Sequence, residues 1–130
     1  IRRKIMPKIT YTNAAGLVQA TGSGIFLNTI GTTIAAAGSA IGDATAVSTD
    51  GSIVAVTGGD GSTGVVLAAG TAGEVKIIVN TAGAALKVYP ASGEKINNGS
   101  ASAAITLAAN KSAFLLFTGS TYGWLTVDAG

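Results

Sequence analysis

The stretch Glu74–Asn80, EVKIIVN, decides the fold class of this chain. Its side chains alternate in type with a period of two, the period at which successive side chains of a β-strand point to opposite faces. Apolar residues take every second position, namely Val75, Ile77 and Val79, and polar Lys76 and Asn80 take two of the alternate positions. The stretch therefore predicts a β-strand.

The neighbouring segments repeat this pattern on both sides. Leu86–Tyr89, LKVY, alternates apolar Leu86 and Val88 with Lys87 and Tyr89. Further short strands are predicted near residues 8–12, 17–20, 25–30, 44–49, 52–57, 65–69, 103–107, 112–118 and 122–127. Residues 32–44 contain an alanine run that is compatible with a short helix, but the glycines within it favour a loop.

Turn signals separate these strands. Asp50-Gly51 stands between two alternating segments and predicts a β-hairpin. The breaker cluster at residues 21–24 predicts another hairpin between the strands that flank it. Short strands with turn signals about every 8–12 residues indicate a sandwich or barrel. We therefore expect an all-β fold, an antiparallel β-sandwich or β-barrel of short strands with an extended N-terminal arm.

The composition agrees with this fold class. Glu occurs twice and Gln once in 130 residues, which disfavours helices, whereas the plentiful Thr, Val, Ile and Gly favour strands and turns. Leu, Ile, Val and Phe together supply 33 residues, enough for a folded core, but much of the remaining apolar content is alanine, which buries little surface. The core is expected to be thin, so association with identical subunits or with a larger partner is expected to add burial.

Two residue types that carry much of protein chemistry do not occur in the sequence. Without cysteine there is neither a disulfide framework nor a thiolate metal site. Without histidine the chain lacks the commonest general base, the commonest metal ligand and the usual partner of a nucleophilic serine. We expect a protein that is not an enzyme and that uses no cofactor.

The positive charges are concentrated at the N-terminus. Residues 1–8 contain four of the eight basic side chains, whereas residues 9–130 carry four lysines against six acidic residues. We therefore divide the chain into a basic N-terminal arm, residues 1–8, and a single β domain, residues 9–130. The arm is short and the other lysines are scattered without a row of aromatic residues, so nucleic-acid binding is not expected. Polar residues interrupt the uncharged run at 9–42, so no membrane span is expected either.

One glycine-rich loop matches a known pattern. Residues 59–64, GDGSTG, fit G-x-G-x-x-G after a predicted strand. A dinucleotide site also requires a helix after the glycines and an acidic residue about 20 positions on. The residues that follow, VVLAAG, are typical of a strand, and no acidic residue lies between Glu74 and Glu94. A flexible hairpin loop is the favoured interpretation.

The acidic residues and the aromatic residues each allow two interpretations. Asp60 with Asp50 or Asp43 offers oxygen ligands for Ca²⁺, but their spacing lacks the alternation of an EF-hand loop, so solvated turn residues are favoured and no metal is expected. No pair of carboxylates stands out for catalysis. Tyr122 and Trp124 suit an exposed sugar-binding platform, but packing in the core or at a subunit interface is favoured for them, as it is for Tyr89.

Four features of residues 70–127 occur together in an unusual combination. They are the strand ending at Asn80, the block LKVYPASGEKIN at Leu86–Asn97, the strand pair ITLAANKSAFLLF at Ile105–Phe117, and the closing Gly-x-x-x-Gly-Trp at Gly119–Trp124. Together they resemble a segment that recurs in small virion proteins of tailed bacteriophages. The resemblance covers somewhat less than half of the chain and carries no catalytic residue onto it.

The resemblance implies a structural role in a virion. Relatives of this kind act as capsid decoration (cement) proteins or as parts of head or tail fibres. We expect a non-enzymatic decoration protein that binds the outer surface of the capsid shell and stabilises it, with the phage major capsid protein as partner, assembly in the host cytoplasm and a homotrimeric state. The alternative is a head or tail fibre or spike subunit that binds a host cell-surface glycan.

The arm is the expected contact with the shell. An extended arm on an all-β domain can bind a repeating surface by strand addition and apolar contact. The residues assigned to this contact are Arg2, Arg3, Lys4, Ile5, Lys8 and Ile9, the basic ones facing acidic groups of the shell and the isoleucines making apolar contacts. The alternative interpretation is a disordered tail or a translated leader.

Overall fold

A computed structural model describes residues 9–12, 16–19 and 33–127 of the chain. Every regular element in these ranges is a β-strand, and they contain no helix. The expected all-β class is confirmed. The basic arm at 1–8 and the strand predicted at 25–30 lie outside the described residues, so the hairpin predicted around residues 21–24 stays a prediction.

The strands form one hairpin and two larger sheets. The hairpin pairs β1 (Ile9–Thr12) with β2 (Gly16–Gln19). The four-stranded sheet contains β4 (Thr45–Ala46), β6 (Gly64–Val66), β8 (Leu86–Tyr89) and β9 (Ile105–Leu107). The five-stranded sheet contains β3 (Ile34–Ala35), β5 (Ile53–Thr57), β7 (Val75–Asn80), β10 (Ser112–Phe117) and β11 (Trp124–Thr126).

From β3 to β8 the chain changes sheet at every strand. Strands two apart in sequence therefore lie side by side, and the pairs β3–β5, β5–β7, β4–β6 and β6–β8 are all parallel. The later pairs β8–β9, β7–β10 and β10–β11 are antiparallel. The order across the five-stranded sheet is β11-β10-β7-β5-β3, and across the four-stranded sheet β4-β6-β8-β9.

This winding corrects two expectations. The larger sheets are mixed, so the prediction of a purely antiparallel arrangement is wrong. The hairpin predicted at Asp50-Gly51 is not formed either, because β4 before the turn pairs with β6 whereas β5 after it pairs with β3 and β7. A turn signal indicates where the chain bends and does not determine whether the next strand joins the same sheet. Here the chain crosses to the other sheet.

The core lies between the inner faces of the two larger sheets. The five-stranded sheet contributes Val54, Val56, Ile78, Leu115, Phe117 and Trp124, and the four-stranded sheet contributes Val65, Leu86, Val88 and Leu107. Alternate residues of the longer strands enter this cluster, as the two-residue period of a strand requires. The arrangement is therefore sandwich-like, with each sheet burying one face against the other.

Strand β7 turns its polar residues toward the core. Lys76 and Asn80 are buried with Ile78, whereas Val75, Ile77 and Val79 are half-buried on the opposite side. This is the reverse of the usual alternation, in which the polar side of a strand faces solvent. The buried Lys76 ammonium is tolerated because it donates hydrogen bonds to the main-chain carbonyls of Ser48 and Gly51.

Asn80 links the two sheets at one end of the core. It is 1% exposed, and its Nδ2 lies 2.9, 3.1 and 3.0 Å from the carbonyl oxygens of Ala84, Leu107 and Ala108. Its Oδ1 accepts a hydrogen bond from the Ala82 N–H at 2.9 Å. Because Asn80 ends β7 and Leu107 ends β9, one side chain joins the edge strand of one sheet to a central strand of the other.

We predict that Asn80→Ala lowers the free energy of unfolding by about 3 kcal/mol, because it removes the hydrogen bonds made by both ends of the buried amide, each of which contributes about 0.5–1.5 kcal/mol. Urea unfolding followed by the fluorescence of Trp124, the single tryptophan, measures the change. The matched control is Asn110→Gly, an exposed turn position with a φ of 57°, where we expect a change within about 0.5 kcal/mol. Equal stability of the Asn80→Ala and wild-type proteins would contradict the assigned role.

Candidate functional site

The block Leu86–Asn97, which carries much of the resemblance, connects the two sheets. It begins as β8 in the four-stranded sheet, and its Ile96 forms a β-bridge with Trp124 at the start of β11 in the five-stranded sheet. Pro90 and Ile96 are both buried. The block is thus part of the framework of the domain.

Glu94 holds this connection in place. Its Oε1 accepts a hydrogen bond from the Gly70 N–H at 2.9 Å, and its Oε2 accepts one from the indole Nε1–H of Trp124 at 3.2 Å. The Trp124 ring meets the Phe117 ring edge-on, with centroids 5.2 Å apart. Both carboxylate oxygens of Glu94 are therefore engaged by the chain itself.

Asn97 and Gly123 bring the block against the closing motif. The Asn97 N–H donates to the Trp124 carbonyl at 2.7 Å, and the Asn97 Oδ1 accepts from the Thr126 N–H at 2.8 Å. Gly123 has a φ of 72°, and a Cβ at this position would overlap the Lys95 carbonyl oxygen. The segments Leu86–Asn97 and Gly119–Trp124 thus lie against each other, and the residues that carry the resemblance have structural roles in this fold.

The three aromatic candidates lie in different environments. Trp124 is 1% exposed within the core. Tyr89 is also buried, and its hydroxyl donates a hydrogen bond to the Ser39 carbonyl at 2.9 Å. Tyr122 is 55% exposed in the turn before β11. Because Trp124 is buried, it does not form an exposed platform with Tyr122.

The glycine-rich loop at 59–64 is organised around Asp60. Asp60 Oδ1 accepts hydrogen bonds from the N–H groups of Ser62 and Thr63 and from the Ser62 hydroxyl, each at 2.8 Å. Gly64 then begins β6, where a phosphate-binding loop would begin a helix. The N–H groups that would point at a phosphate instead bind this carboxylate, so the geometry argues against a dinucleotide site.

This loop also differs from the hairpin loop that the sequence favours. It joins β5 in the five-stranded sheet to β6 in the four-stranded sheet. The reason is the same crossing between sheets that removes the hairpin at Asp50-Gly51.

A cavity of about 460 Å³ lies beside the start of β5 and β7. Its lining residues are Thr49, Asp50, Gly51, Ser52, Thr71, Glu74, Val75 and Lys76. The Lys76 ammonium already binds two carbonyls at this site, and Glu74 Oε2 accepts a hydrogen bond from the Thr71 N–H at 3.0 Å. The Lys76 and Glu74 side chains thus stabilise the loops that form the walls.

The remaining candidates from the sequence are the acidic residues and the residues of the N-terminal arm. Within residues 33–127 and the two short strands before them, no three acidic side chains gather into a metal-binding group. Asp43 accepts a hydrogen bond from the Ala40 N–H, and Asp60 is held as described above. Arg2, Arg3, Lys4, Ile5 and Lys8 lie outside the described residues, and Ile9 is the first residue of β1.

The structure reveals an apolar surface that the sequence analysis missed. We call it the outer face, the side of the five-stranded sheet turned away from the core. Its strand residues are Ile53, Ala55, Thr57, Val75, Ile77, Val79, Ser112, Phe114, Leu116 and Leu125, and Val127 continues it. Phe114, Leu116 and Leu125 are each more than a third exposed. The signal for this surface was the apolar runs IIV and FLLF, which are typical of strands buried on both sides.

Comparisons with known proteins assign no family. The sequence matches no protein-family model and no curated protein. A solved structure described as "Structure of a chaperone-substrate complex" superposes with a TM-score of 0.48 and 16% sequence identity over 94% of this chain. This chain spans 20% of the length of that one, and a likeness at this level carries no argument about fold or function. The described residues include no helix with the length and apolar character needed to cross a membrane.

We predict that Asp60→Asn weakens the acid dependence of stability. Hydrogen bonds from the Thr63 and Ser62 N–H groups and from the Ser62 hydroxyl hold the pKa of the Asp60 carboxyl well below its usual range. A group with a lowered folded-state pKa stabilises the fold above its unfolded-state pKa, about 3.9, and this stabilisation is lost as the pH falls further. Urea unfolding at pH 7 and at pH 3 measures the difference between the two conditions.

From pH 7 to pH 3, the Asp60→Asn variant should lose less free energy of unfolding than the wild type does. Asparagine keeps the accepting oxygen, so the loop geometry is retained and only the titrating charge is removed. Ser62→Ala is the companion variant, because it keeps the carboxylate and removes one of its donors. Identical pH profiles for Asp60→Asn and wild type would contradict this assignment.

Proposed function

We propose that this chain is a non-enzymatic capsid decoration (cement) protein of a tailed bacteriophage, which binds the outer surface of the capsid shell and stabilises it. The observation that carries the proposal is the resemblance of residues 70–127 to small virion proteins, whose quoted motifs form one interlocked unit here. The main-chain carbonyl of Lys95 accepts a hydrogen bond from the Trp124 N–H at 2.9 Å, and the Asn97 N–H donates one to the Trp124 carbonyl at 2.7 Å. The residues that carry the resemblance thus hold two segments of this fold against each other.

Several polar side chains form hydrogen bonds within the chain, and this supports a protein that binds its partner through an extended surface. Asp60, Asn80, Glu94 and Asn97 each make hydrogen bonds that fix a loop or join two segments of the chain. A side chain held in this way supports the scaffold and does not need a ligand to satisfy it. The outer face offers the opposite property, a broad apolar surface of the kind that marks interaction sites.

The arm at residues 1–8 is the proposed clamp on the shell. Its four basic residues complement acidic groups on the major capsid protein, and Ile5 and Ile9 add apolar contacts. The chain from residue 9 onward is weakly acidic, so the arm is the part of the sequence suited to an acidic partner surface. The proposal includes a homotrimer on the capsid exterior, which is what a decoration role predicts.

The copy number of the chain in purified particles tests the proposed function. A decoration protein is expected in numbers close to those of the major shell subunit, because it covers a repeating surface. A small fixed number per particle would favour the alternative, a fibre or spike subunit, and binding of the isolated protein to a host-cell glycan would support that alternative further. Absence from purified particles would refute the virion role.

Removal of residues 1–8 is predicted to abolish binding to undecorated shells without changing the fold. Co-sedimentation with shells measures binding, and urea unfolding measures the fold. Arg2→Gln, Arg3→Gln and Lys4→Gln together should weaken binding and reduce its salt dependence, because charge contacts at a surface are screened by salt. Lys111→Gln, at an exposed lysine of the domain, is the matched control. Full binding by the truncated protein would contradict the clamp.

A further inference from the structure

The turn at residues 96–99 contains the single Asn-Gly pair of the chain, Asn98-Gly99. Both residues of the pair are exposed. An asparagine can lose ammonia spontaneously when the main-chain nitrogen of the next residue attacks its side-chain amide carbon. Glycine as the next residue has no Cβ to hinder this attack and leaves the backbone free to adopt the required conformation. Sequence and exposure therefore make Asn98 a candidate for deamidation, and the local backbone decides how fast it reacts.

Both central residues of this turn have left-handed backbones. The φ angle is 54° at Asn97 and 55° at Asn98, and the Gly99 N–H donates a hydrogen bond to the Ile96 carbonyl at 3.0 Å. Two left-handed residues closed by such a bond are the pattern of a type I′ turn. Asparagine adopts the left-handed conformation more readily than most residues other than glycine. The residue types that stabilise this turn therefore also create the reactive pair.

Asn97 connects the turn to β11. Its N–H donates a hydrogen bond to the Trp124 carbonyl at 2.7 Å, its Oδ1 accepts one from the Thr126 N–H at 2.8 Å, and its Nδ2 donates one to the Thr126 hydroxyl at 2.8 Å. Ile96, which begins the turn, is buried and forms a β-bridge with Trp124. These contacts fix the first half of the turn against the five-stranded sheet.

We propose that residues 96–99 form a conformationally protected deamidation site, at which the folded turn slows the loss of ammonia from Asn98. The attacking atom is the Gly99 nitrogen, whose N–H must first be released from the Ile96 carbonyl. The left-handed conformation also turns this nitrogen away from the Asn98 side chain, so ψ of Asn98 must change before a five-membered ring can close. Both changes require the turn to open, and the reaction therefore proceeds through the locally opened form.

The reaction consumes only water. The bond from the Gly99 nitrogen to the Asn98 Cγ forms, the bond from Cγ to the side-chain nitrogen breaks, and ammonia leaves with the proton of the Gly99 N–H. Water then opens the succinimide ring at one of its two carbonyl carbons, which gives aspartate or isoaspartate. Either product places a new carboxylate next to Asn97, and isoaspartate also adds one carbon atom to the main chain.

The isoaspartate product is expected to weaken the edge of the five-stranded sheet. The added main-chain atom changes the spacing that allows the Gly99 N–H to reach the Ile96 carbonyl, so the original turn cannot form again. The hydrogen bonds between Asn97 and Thr126 lie directly beside this turn. We therefore expect the isoaspartate form to unfold at a lower urea midpoint than the intact protein.

Peptide mass spectrometry of the full chain, incubated folded or in urea at mildly alkaline pH, tests the protection. Deamidation replaces a side-chain NH2 by OH and raises the mass, whereas isomerisation at Asp50-Gly51 or Asp60-Gly61 leaves the mass unchanged. We expect Asn98 to be the asparagine that reacts fastest in urea, and to react at least about tenfold more slowly in the folded chain. Equal rates in the two states, or faster conversion of another asparagine in urea, would overturn the proposal.

Substitution of Asn97 tests whether the turn provides the protection. Asn97→Val introduces a β-branched residue that disfavours the left-handed conformation, so we expect the folded rate at Asn98 to rise toward the rate in urea. Asn97→Gly keeps that conformation accessible and is expected to retain more of the protection. Asn110→Val is the matched control, because it makes the same change at a left-handed position in another turn, with a φ of 57°.

The ratio of the folded rate to the rate in urea is compared for each variant, so that effects of the substitution on the intrinsic chemistry cancel. An unchanged ratio in Asn97→Val, or an equal rise in Asn110→Val, would overturn the role of the turn. The inference is independent of the virion role, because it concerns the purified chain and holds or fails whatever the copy number in particles.

Discussion

The side chain of Asn80 is the constraint on which the two-sheet arrangement depends. It lies at the end of β7 and binds the carbonyls of Leu107 and Ala108, where the chain leaves the four-stranded sheet for β10. The amide is almost completely buried, so its hydrogen bonds form in surroundings from which water is excluded. An apolar residue of similar size would fill the space but would remove the hydrogen bond that joins the end of β7 to the Leu107 carbonyl at the end of β9. The amide of Asn80 therefore links the two sheets at this crossing.

The same requirement explains why β7 is inverted. If Asn80 must face the core, the two-residue period of the strand places Ile78 and Lys76 on the inner side as well. Lys76 lies at the rim, where its ammonium reaches the carbonyls of Ser48 and Gly51. Val75, Ile77 and Val79 must then face outward. One polar link between the sheets thus determines which side of the strand is exposed.

Local sequence patterns predict the strands of this fold but not the partners of those strands. The positions of β7, β8 and β10 follow from local alternation, and the strand expected after the loop at 59–64 is present as β6. The parallel pairing does not follow, because alternation identifies a strand without identifying its neighbour. The contacts of Glu94 with Gly70 and Trp124 join residues at least 24 positions apart, and no local pattern indicates them. The outer face was missed because alternation identifies a strand without showing which of its sides lies in the core.

The winding of the chain explains why the five-stranded sheet is apolar on both of its faces. Because the chain changes sheet at each strand from β3 to β8, the central strand β7 is flanked by β5 and β10 and is shielded at both edges. Shielded strands of this kind favour large aliphatic residues on both sides. In the described residues the four-stranded sheet packs against one face of the five-stranded sheet, so the apolar residues of the outer face stay partly exposed.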